Sequence, residues 1–578
     1  MEHWELAGQM TKGEKKVFSE YPELVAELLF RRGIKTKEEA EKFLHPDWDR
    51  DVRDPFGILG MKKAVERIFR AIGTEERILI YGDYDCDGIP GSVVLHDFFT
   101  KIGYRNFANY IPHRHDEGYG FHVHAVEQAK EKNVALIITV DVGITDYAAV
   151  SKANELGIDV IITDHHLPIE ENGKQKIPKA YAVLNSKQWD DTYHDDMLCG
   201  AGVAFKLVQA LLQKGKANGR FSDIPDGWEK WLLDMAGLST VADMVPLQKE
   251  NRALAYFGLQ VMRKSRRKGL MALLQRLGID QKNITEDDIG FMIAPRINAA
   301  SRIDHPLRAF ELLTAAEDID ALRLARLLDG INDRRKGLVA AMMKEAKKKL
   351  AERELHEVIV LGNPDWHPGL IGLAANKIME DFSRPVFIWG RDATGVIKGS
   401  CRSDGTVSVV ELMTSARAET FLQFGGHDGA GGFSVSHESV HTLEIELSSV
   451  YQKMERKEQT KSIQVDKKLT LDQVNWETYE QIALFAPFGQ ANPKPQFLFE
   501  NISILAVRKF GKAKEHLELI FRGEDGKRIS AIMFFAPEEI SDRAEKGKAV
   551  DLIATFEKST YRKTPELRLR IVEVFDRA

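Results

Sequence analysis

The chain has 578 residues, 43% of them hydrophobic and 29% charged, and a formal net charge of −6, which makes an ordinary globular composition too long for one core and predicts about three or four domains. No apolar run approaches the roughly 20 residues of a membrane span, Met1-Glu-His-Trp-Glu-Leu6 lacks the basic and apolar regions of a signal peptide, and the three cysteines (Cys86, Cys199, Cys401) form no CxxC pair, so a cytoplasmic setting without disulfides or thiolate zinc is expected. The negative balance excludes a chain that attracts nucleic acid over its whole surface, so any polyanion site must be a local basic patch or be mediated by metal.

Residues 1–55 read as short helices, with Pro46 as a breaker. An amphipathic pattern through Ala64, Val65, Ile68, Phe69 and Ile72 predicts a helix before the first strand, Arg77 to Tyr81. That strand runs into Tyr81-Gly-Asp-Tyr-Asp-Cys-Asp-Gly88, and a helix is expected from Gly91 to Phe99. Alternation places Asp83, Asp85 and Asp87 on one face if the segment is extended. Carboxylates so close repel one another, and a divalent metal between them is the natural relief. The bland alternative is an Asp/Gly-rich surface turn.

Two further strands repeat the arrangement. Val134 to Val140 is a near-continuous apolar run ending in Asp141-Val-Gly143, and Ile158 to Thr163 ends in Asp164-His-His166. Apolar runs alternating with helices are the mark of a parallel α/β sheet, whose ligand sites lie beyond the carboxyl ends of its strands. Three strand ends therefore deliver acids and imidazoles to one rim. Asp243, in the apolar segment Ser239 to Val245, is either a further member of that set or a capping or paired core residue. Cys199-Gly-Ala-Gly202 does not have P-loop spacing and reads as a tightly packed helix start.

Residues 251–353 read as a helical connector. The stretch from Asp318 to Leu355, without proline, predicts a long helix or helix pair, and Arg263 to Lys268 is a basic run that could meet phosphate but reads better as solvated surface. A second α/β lobe is expected over 354–455, with strands at Glu357–Leu361 and Pro385–Trp389, a helix through Leu370–Lys377 and a polar strand at Val396–Ser403. The glycine-rich segment Phe424 to Phe433, with His427 inside it, predicts a loop whose backbone approaches a ligand closely. From residue 460 to 578, five or six short alternating strands predict a small barrel of OB type. Arg508 to Lys514, Phe534, Phe535 and Tyr561-Arg-Lys563 have the composition of a platform for stacked bases, though core aromatics and solvated lysines explain much of it equally.

Taken together, Gly82-Asp-Tyr-Asp-Cys-Asp-Gly88, Val140-Asp-Val-Gly143, Asp164-His-His166 and Val241-Ala-Asp243 resemble the motifs of the DHH phosphoesterase superfamily. Gly369-Leu-Ile-Gly372 and Gly425-Gly-His427 resemble its associated DHHA1 domain, and with the C-terminal strands the nearest resemblance is to the RecJ family of bacterial single-strand-specific 5′→3′ exonucleases. The resemblance covers nearly the whole chain. It implies a DHH domain over 56–250, a DHHA1 domain over 354–455 and an OB domain over 460–578. It implies two Mn²⁺ or Mg²⁺ ions held by Asp85, Asp87, Asp141, His165 and Asp243, with Asp83, Asp164 and His166 as direct or supporting groups. Such donors suit Mn²⁺ and accept Mg²⁺, and a carboxylate such as Asp141 can bridge two ions. Many relatives carry histidine where this chain has Tyr81, a poor ligand at neutral pH, which leaves Asp83 or water in its place.

For substrate, the resemblance implies a 5′-phosphate pocket of Arg114, Arg302, Ser400 and Arg402, with Arg296 as a rival for Arg302, and a contact from His427, beside Gly425 and Gly426, to the scissile phosphate. Guanidinium groups match phosphate bidentately. Single-stranded DNA-binding protein and a RecQ-type helicase are partners implied by family alone, as is a role in DNA recombination and repair. Alternatives within the superfamily are an oligonucleotide or cyclic dinucleotide phosphodiesterase, which generally lacks the C-terminal barrel, and a non-catalytic scaffold of the Cdc45 type, which loses ligands.

Overall fold

The computed structural model describes residues 3–8, 10–193, 197–392, 394–457, 462–511, 514–559 and 564–577. The chain forms two compact units. One is made of Asp54–Val245 and Phe257–Gln459, the other of Met1–Arg53, Pro246–Tyr256 and Thr460–Ala578.

The larger unit begins with a parallel sheet. Its elements in chain order are β1 (Arg77–Gly82), α1 (Gly88–Lys101), β2 (Phe107–Tyr110), β3 (Val134–Val140), β4 (Asp159–Thr163), β5 (Ala182–Leu184), α2 (Gly200–Ala217) and α3 (Leu233–Ala242). The strands lie in the order β2-β1-β3-β4-β5, all parallel. The apolar runs of β1, β3 and β4 are buried, as strands covered on both faces should be. The three acid-bearing strand ends belong to β1, β3 and β4, adjacent in the sheet, so the predicted convergence follows from the topology.

Two helices lead out of this layer. They are α4 (Ala294–Ile303) and α5 (Asp318–Ala351), and α5 is one continuous helix of 34 residues rather than a pair. The basic run before them is not simply solvated. Arg267 pairs with Asp234 at 2.9 Å and Asp97 at 2.8 Å, and Arg263 donates to the Ile284 carbonyl at 2.7 Å. The acids that bury Arg267 lie on distant elements, out of reach of a local charge reading.

The second sheet of this unit contains β6 (Ile359–Gly362), α6 (Pro368–Phe382), β7 (Val386–Arg391), β8 (Ile397–Arg402), β9 (Gln423–His427) and β10 (Ala430–Val435). Its strand order is β9-β10-β8-β7-β6, with only β6 and β7 parallel. The glycine-rich segment is therefore a β-hairpin, not a loop. Gly426, at φ +147°, accepts no side chain, because a Cβ would lie 2.4 Å from the Ala430 carbonyl oxygen.

In the smaller unit, seven strands are ordered Lys467–Lys468, Phe497–Ser503, Ala549–Ser559, Glu566–Asp576, Arg528–Met533, His516–Arg522, Ala506–Phe510. The expected OB-type barrel is a seven-stranded sheet that does not close. Its first and last strands have no ladder between them among the described residues, and a register shift interrupts pairing between Phe499 and Ile502. Short helices at Glu23–Arg31 and Lys37–Leu44 put Leu28, Leu29 and Leu44 into the same core as Phe497, Phe499 and Phe521. The N-terminal stretch also supplies a strand that helix-only reading missed, His3–Leu6, parallel to Ser462–Val465. Of the proposed stacking platform, Tyr561-Arg-Lys563 lies outside the described residues. Phe535 is exposed, and Phe534 lies under the Arg570 guanidinium at 4.2 Å.

Candidate metal centre and phosphate pocket

The aspartate loop is built by backbone geometry. Asp85 Oδ1 accepts the N–H groups of Asp87 and Gly88 at 2.7 and 3.2 Å, which turns the strand end into α1. Gly88 is obligatory in that turn, since a Cβ would stand 2.5 Å from the Asp83 carbonyl oxygen. The start of α2 then reaches in, and both Asp87 carboxylate oxygens accept its N–H groups, from Gly200 at 2.5 Å and Ala201 at 2.7 Å. Those are free donors of a helix N-terminus, favourable partners for an anion. Asp141 sits at φ +62°, a left-handed conformation that is uncommon outside glycine and clusters at functional sites.

Three triplets of donor atoms follow: Asp83, Asp85 and Asp141; Asp87, His165 and Asp243; and Asp141, His165 and His166, with the atoms of each within 4.8 Å of one another. His165 Nε2 lies 3.2 Å from Asp141, 3.6 Å from Asp87 and 3.7 Å from Asp243. Asp141 and His165 are thus the shared corners. Asp243 is at the C-terminal end of α3, and its approach to His165 places it in the set rather than in a helix cap of its own.

The electrostatics agree with a cation site. Burial, reinforced by the neighbouring carboxylates, pushes Asp83 and Asp141 well above the usual carboxylate range, Asp87 up to about 6 and Asp243 up to about 8. Asp83 Oδ1 and Asp141 Oδ1 are buried without a hydrogen-bond partner. Orphaned buried carboxylate oxygens are costly, and a divalent ion with oxygen and imidazole ligands fits this donor set. Burial, and then His166, press His165 down to about 3, leaving it a neutral imidazole. His166 goes the other way. Burial opposes its charge, but the 2.8 Å bond to Asp164 and the nearby carboxylates outweigh that and raise it to about 9. Asp164 also accepts the Ile144 N–H at 2.9 Å, so it is a fixed strut. Tyr81 is no part of the centre, because its hydroxyl donates to the Gly120 carbonyl at 2.9 Å and its ring stacks on Tyr110 in the sheet's core.

A second cluster is basic. Arg302 donates to the Gly369 carbonyl at 3.0 Å, at the start of α6. A Cβ on Gly372 would stand 3.1 Å from Ser400 Oγ and 3.2 Å from Arg402 Nη2, so α6 faces those two side chains closely. Arg402 donates to Ser400 Oγ at 3.1 Å. The Arg114 guanidinium lies over the Tyr84 ring at 5.0 Å. Burial, then Arg114 and Arg335, press Arg302 down to about 10. An anion between such cations would relieve their repulsion. The rival Arg296 is committed elsewhere, at 3.2 Å from Asp329 and 3.0 Å from the Met292 carbonyl. His427 is exposed on β9 and belongs to none of the triplets; Gly425 and Gly426 share that strand.

Several residues beyond the expected set take part. The Tyr119 ring packs edge-on to His166, with centroids 5.8 Å apart, and Asn298 of α4 accepts the Cys86 N–H at 2.8 Å. Nothing local in the sequence marks either residue, because each meets its partner on another element.

Comparison with known proteins places the chain in a family. Family models for the DHH family N-terminal domain, the DHHA1 domain and the RecJ OB domain match residues 77–235, 355–453 and 465–573. The single-stranded-DNA-specific exonuclease RecJ of Bacillus subtilis is 36% identical over 553 residues, covering 95% of this chain and 67% of that one. That of Haemophilus influenzae is 33% identical, covering 87% of each. The crystal structure of Thermus thermophilus RecJ in complex with Mn²⁺ superposes with a TM-score of 0.81 at 26% identity, covering 100% of this chain and 80% of that one.

Proposed function

The chain belongs to the RecJ family of single-stranded-DNA-specific exonucleases, and we propose that it hydrolyses single-stranded DNA from 5′ ends, releasing 5′-mononucleotides. The observation that carries this reading is the pair of triplets joined at Asp141 and His165, with carboxylates raised by burial and mutual repulsion. Asp83, Asp85 and Asp141 would hold one Mn²⁺ or Mg²⁺ ion, and Asp87, His165 and Asp243 a second. Bound there, the ions supply positive charge to the phosphoryl oxygens and a nucleophilic water at neutral pH.

The protein's own groups do the rest. His165 stays neutral and can therefore ligate. His166, held cationic by Asp164, can donate to a phosphoryl oxygen as charge grows on it. Arg114, Arg302, Ser400 and Arg402 receive the terminal 5′ phosphate, and so set the polarity of attack. His427, on its exposed strand beside Gly425 and Gly426, contacts the scissile phosphate from the second sheet. Three buried unpaired cysteines, and the lack among the described residues of a helix long and apolar enough to cross a membrane, support a cytoplasmic setting. Single-stranded DNA-binding protein and a RecQ-type helicase are proposed partners on family grounds, in recombination and repair.

End-labelled strands test the reading. With Mn²⁺, a 5′-labelled, 5′-phosphorylated single strand should release labelled mononucleotide at once, while a 3′-labelled strand shortens progressively and blunt duplex survives. Asp141→Ala should slow release by at least roughly a hundredfold. Digestion from the 3′ end, or an unimpaired Asp141→Ala variant, would overturn it.

A further inference from the structure

The aspartate loop is clamped at one residue, Cys86, through the peptide units on either side of it. The Cys86 N–H donates to Asn298 Oδ1 at 2.8 Å, and the Cys86 carbonyl accepts from Ser239 Oγ at 3.0 Å. The thiol itself is buried and makes no such link. Each clamping residue sits one helical turn before a residue of the site. On α3, the Asp243 N–H donates to the Ser239 carbonyl at 2.8 Å. On α4, Asn298 precedes Arg302 by four positions, which places the two on one helix face roughly 6 Å apart along the axis. That rise is on the order of one nucleotide step of an extended single strand.

From this arrangement we propose that Asn298 is a positioning residue that fixes the register between the metal centre and the 5′-phosphate pocket, and thereby the one-nucleotide length of the product. The inference rests on the function proposed above and adds a residue to it. The helix that carries Asn298 is itself immobilised. Arg296 ties it to Asp329 on α5, and Arg334 of α5 donates to the Ile303 carbonyl at 2.7 Å. At its far end Arg302 is tied to Gly369. A rigid α4 thus joins the pocket to the loop that carries Asp83, Asp85 and Asp87, and one amide side chain makes the junction. Ser239 anchors the same residue through its next peptide unit, but its helix leads to Asp243, a group of the metal centre. The two clamps therefore have different consequences.

The test uses the full chain with Mn²⁺ and a single strand carrying a labelled 5′ phosphate. Wild type should release mononucleotide only. Asn298→Ala should release dinucleotide as well, at a rate lowered roughly tenfold to a hundredfold. Its Mn²⁺ affinity by calorimetry, and its affinity for the phosphorylated strand in EDTA, should stay at wild-type levels. Ser239→Ala should bind Mn²⁺ more weakly and still release mononucleotide only. Should Asn298→Ala not fold, Asn298→Gln, which keeps the amide and moves the anchor by one methylene, should give the same dinucleotide. Mononucleotide alone from the folded Asn298 variant, or dinucleotide from Ser239→Ala too, overturns the inference. A wild-type protein that ignores the 5′ phosphate overturns the function beneath it, and that result is read before any variant.

Discussion

His165 and His166 are adjacent in sequence, yet one is neutral and the other cationic. His165 is pressed down to about 3 by burial and by its neighbour, while His166 is lifted to about 9 against burial by Asp164. Asp83, Asp87, Asp141 and Asp243 are protonated more readily than a free aspartate, while Asp164, bonded to His166, is shifted the other way. Asp87 at about 6 and Asp243 at about 8 lie above the ordinary aspartate value of 3.8. The sign of the linkage follows. A carboxyl whose folded value is raised adds stability below its unfolded value, and that contribution is lost as pH rises through the folded value. The contribution of Asp87 is therefore gone by about pH 6, and the metal-free protein should melt at lower temperature as pH climbs on from about 6 to about 8, where Asp243 gives up its proton. Ligating carboxylates must shed those protons, and the ion then cancels the repulsion. The upshift in melting temperature on adding Mn²⁺ should be larger at pH 8 than at pH 6, with net proton release seen by calorimetry in two buffers. An equal upshift at both pH values, with no buffer dependence, would show that these carboxylates do not take the metal. At this scale the acids and the His165-His166 pair were legible, because each follows an apolar strand. Asn298, Ser239 and Tyr119 were not, since their partners lie on other elements.

The helix that matters most to the centre contributes no side chain to it. The first turn of α2 gives two N–H groups to Asp87, and its approach is so close that Gly200 has no room for a methyl group. A Cβ there would stand 2.5 Å from Asp141 Cβ and 2.8 Å from its Oδ1. Gly200→Ala must push α2 away from Asp87 or push Asp141 out of its left-handed conformation. Either displaces a ligand. The expected result is Mn²⁺ affinity weakened by roughly tenfold to a hundredfold, as for the loss of a group that orients a ligand, with far-UV circular dichroism unchanged. Wild-type affinity in the variant would show that the α2 contact does not set the site. Cys199-Gly-Ala-Gly202 was legible as a close-packed helix start, but its target was not, because Asp87 lies more than a hundred residues earlier. The strands β1, β3 and β4 could be read from their apolar runs. The hairpin of β9 and β10 was mistaken for a loop, because glycine is depleted from strands in general. Here the glycines are needed for packing: a Cβ on Gly426 would lie 2.4 Å from the Ala430 carbonyl oxygen, and one on Gly431 3.0 Å from Cys401 Sγ.

The smaller unit is drawn from three separated parts of the chain, which no local pattern announces. Arg32 donates to Asn492 Oδ1 at 2.8 Å and lies over the Phe485 ring at 4.7 Å. Arg252 donates to the carbonyls of Phe43 and Phe485 at 2.7 and 3.1 Å. Leu28 and Leu29 are fully buried in the core they share with the C-terminal sheet. Residues 460–578 therefore do not form a detachable appendage. Removing them alone leaves the N-terminal helices with a bare apolar face, and each large side chain so uncovered forgoes about 1.5–3 kcal/mol of burial. A chain ending at residue 459 should aggregate and bind a hydrophobic dye. Removing residues 1–53 as well takes that face away, and all the groups of the metal centre belong to the other unit. The doubly truncated protein should be more soluble than the singly truncated one and should bind Mn²⁺ with near wild-type affinity. Gel filtration, dye fluorescence and calorimetry on the two truncations decide it. A single truncation that stays monomeric and dark to the dye would show that the N-terminal helices do not depend on the C-terminal sheet for their core.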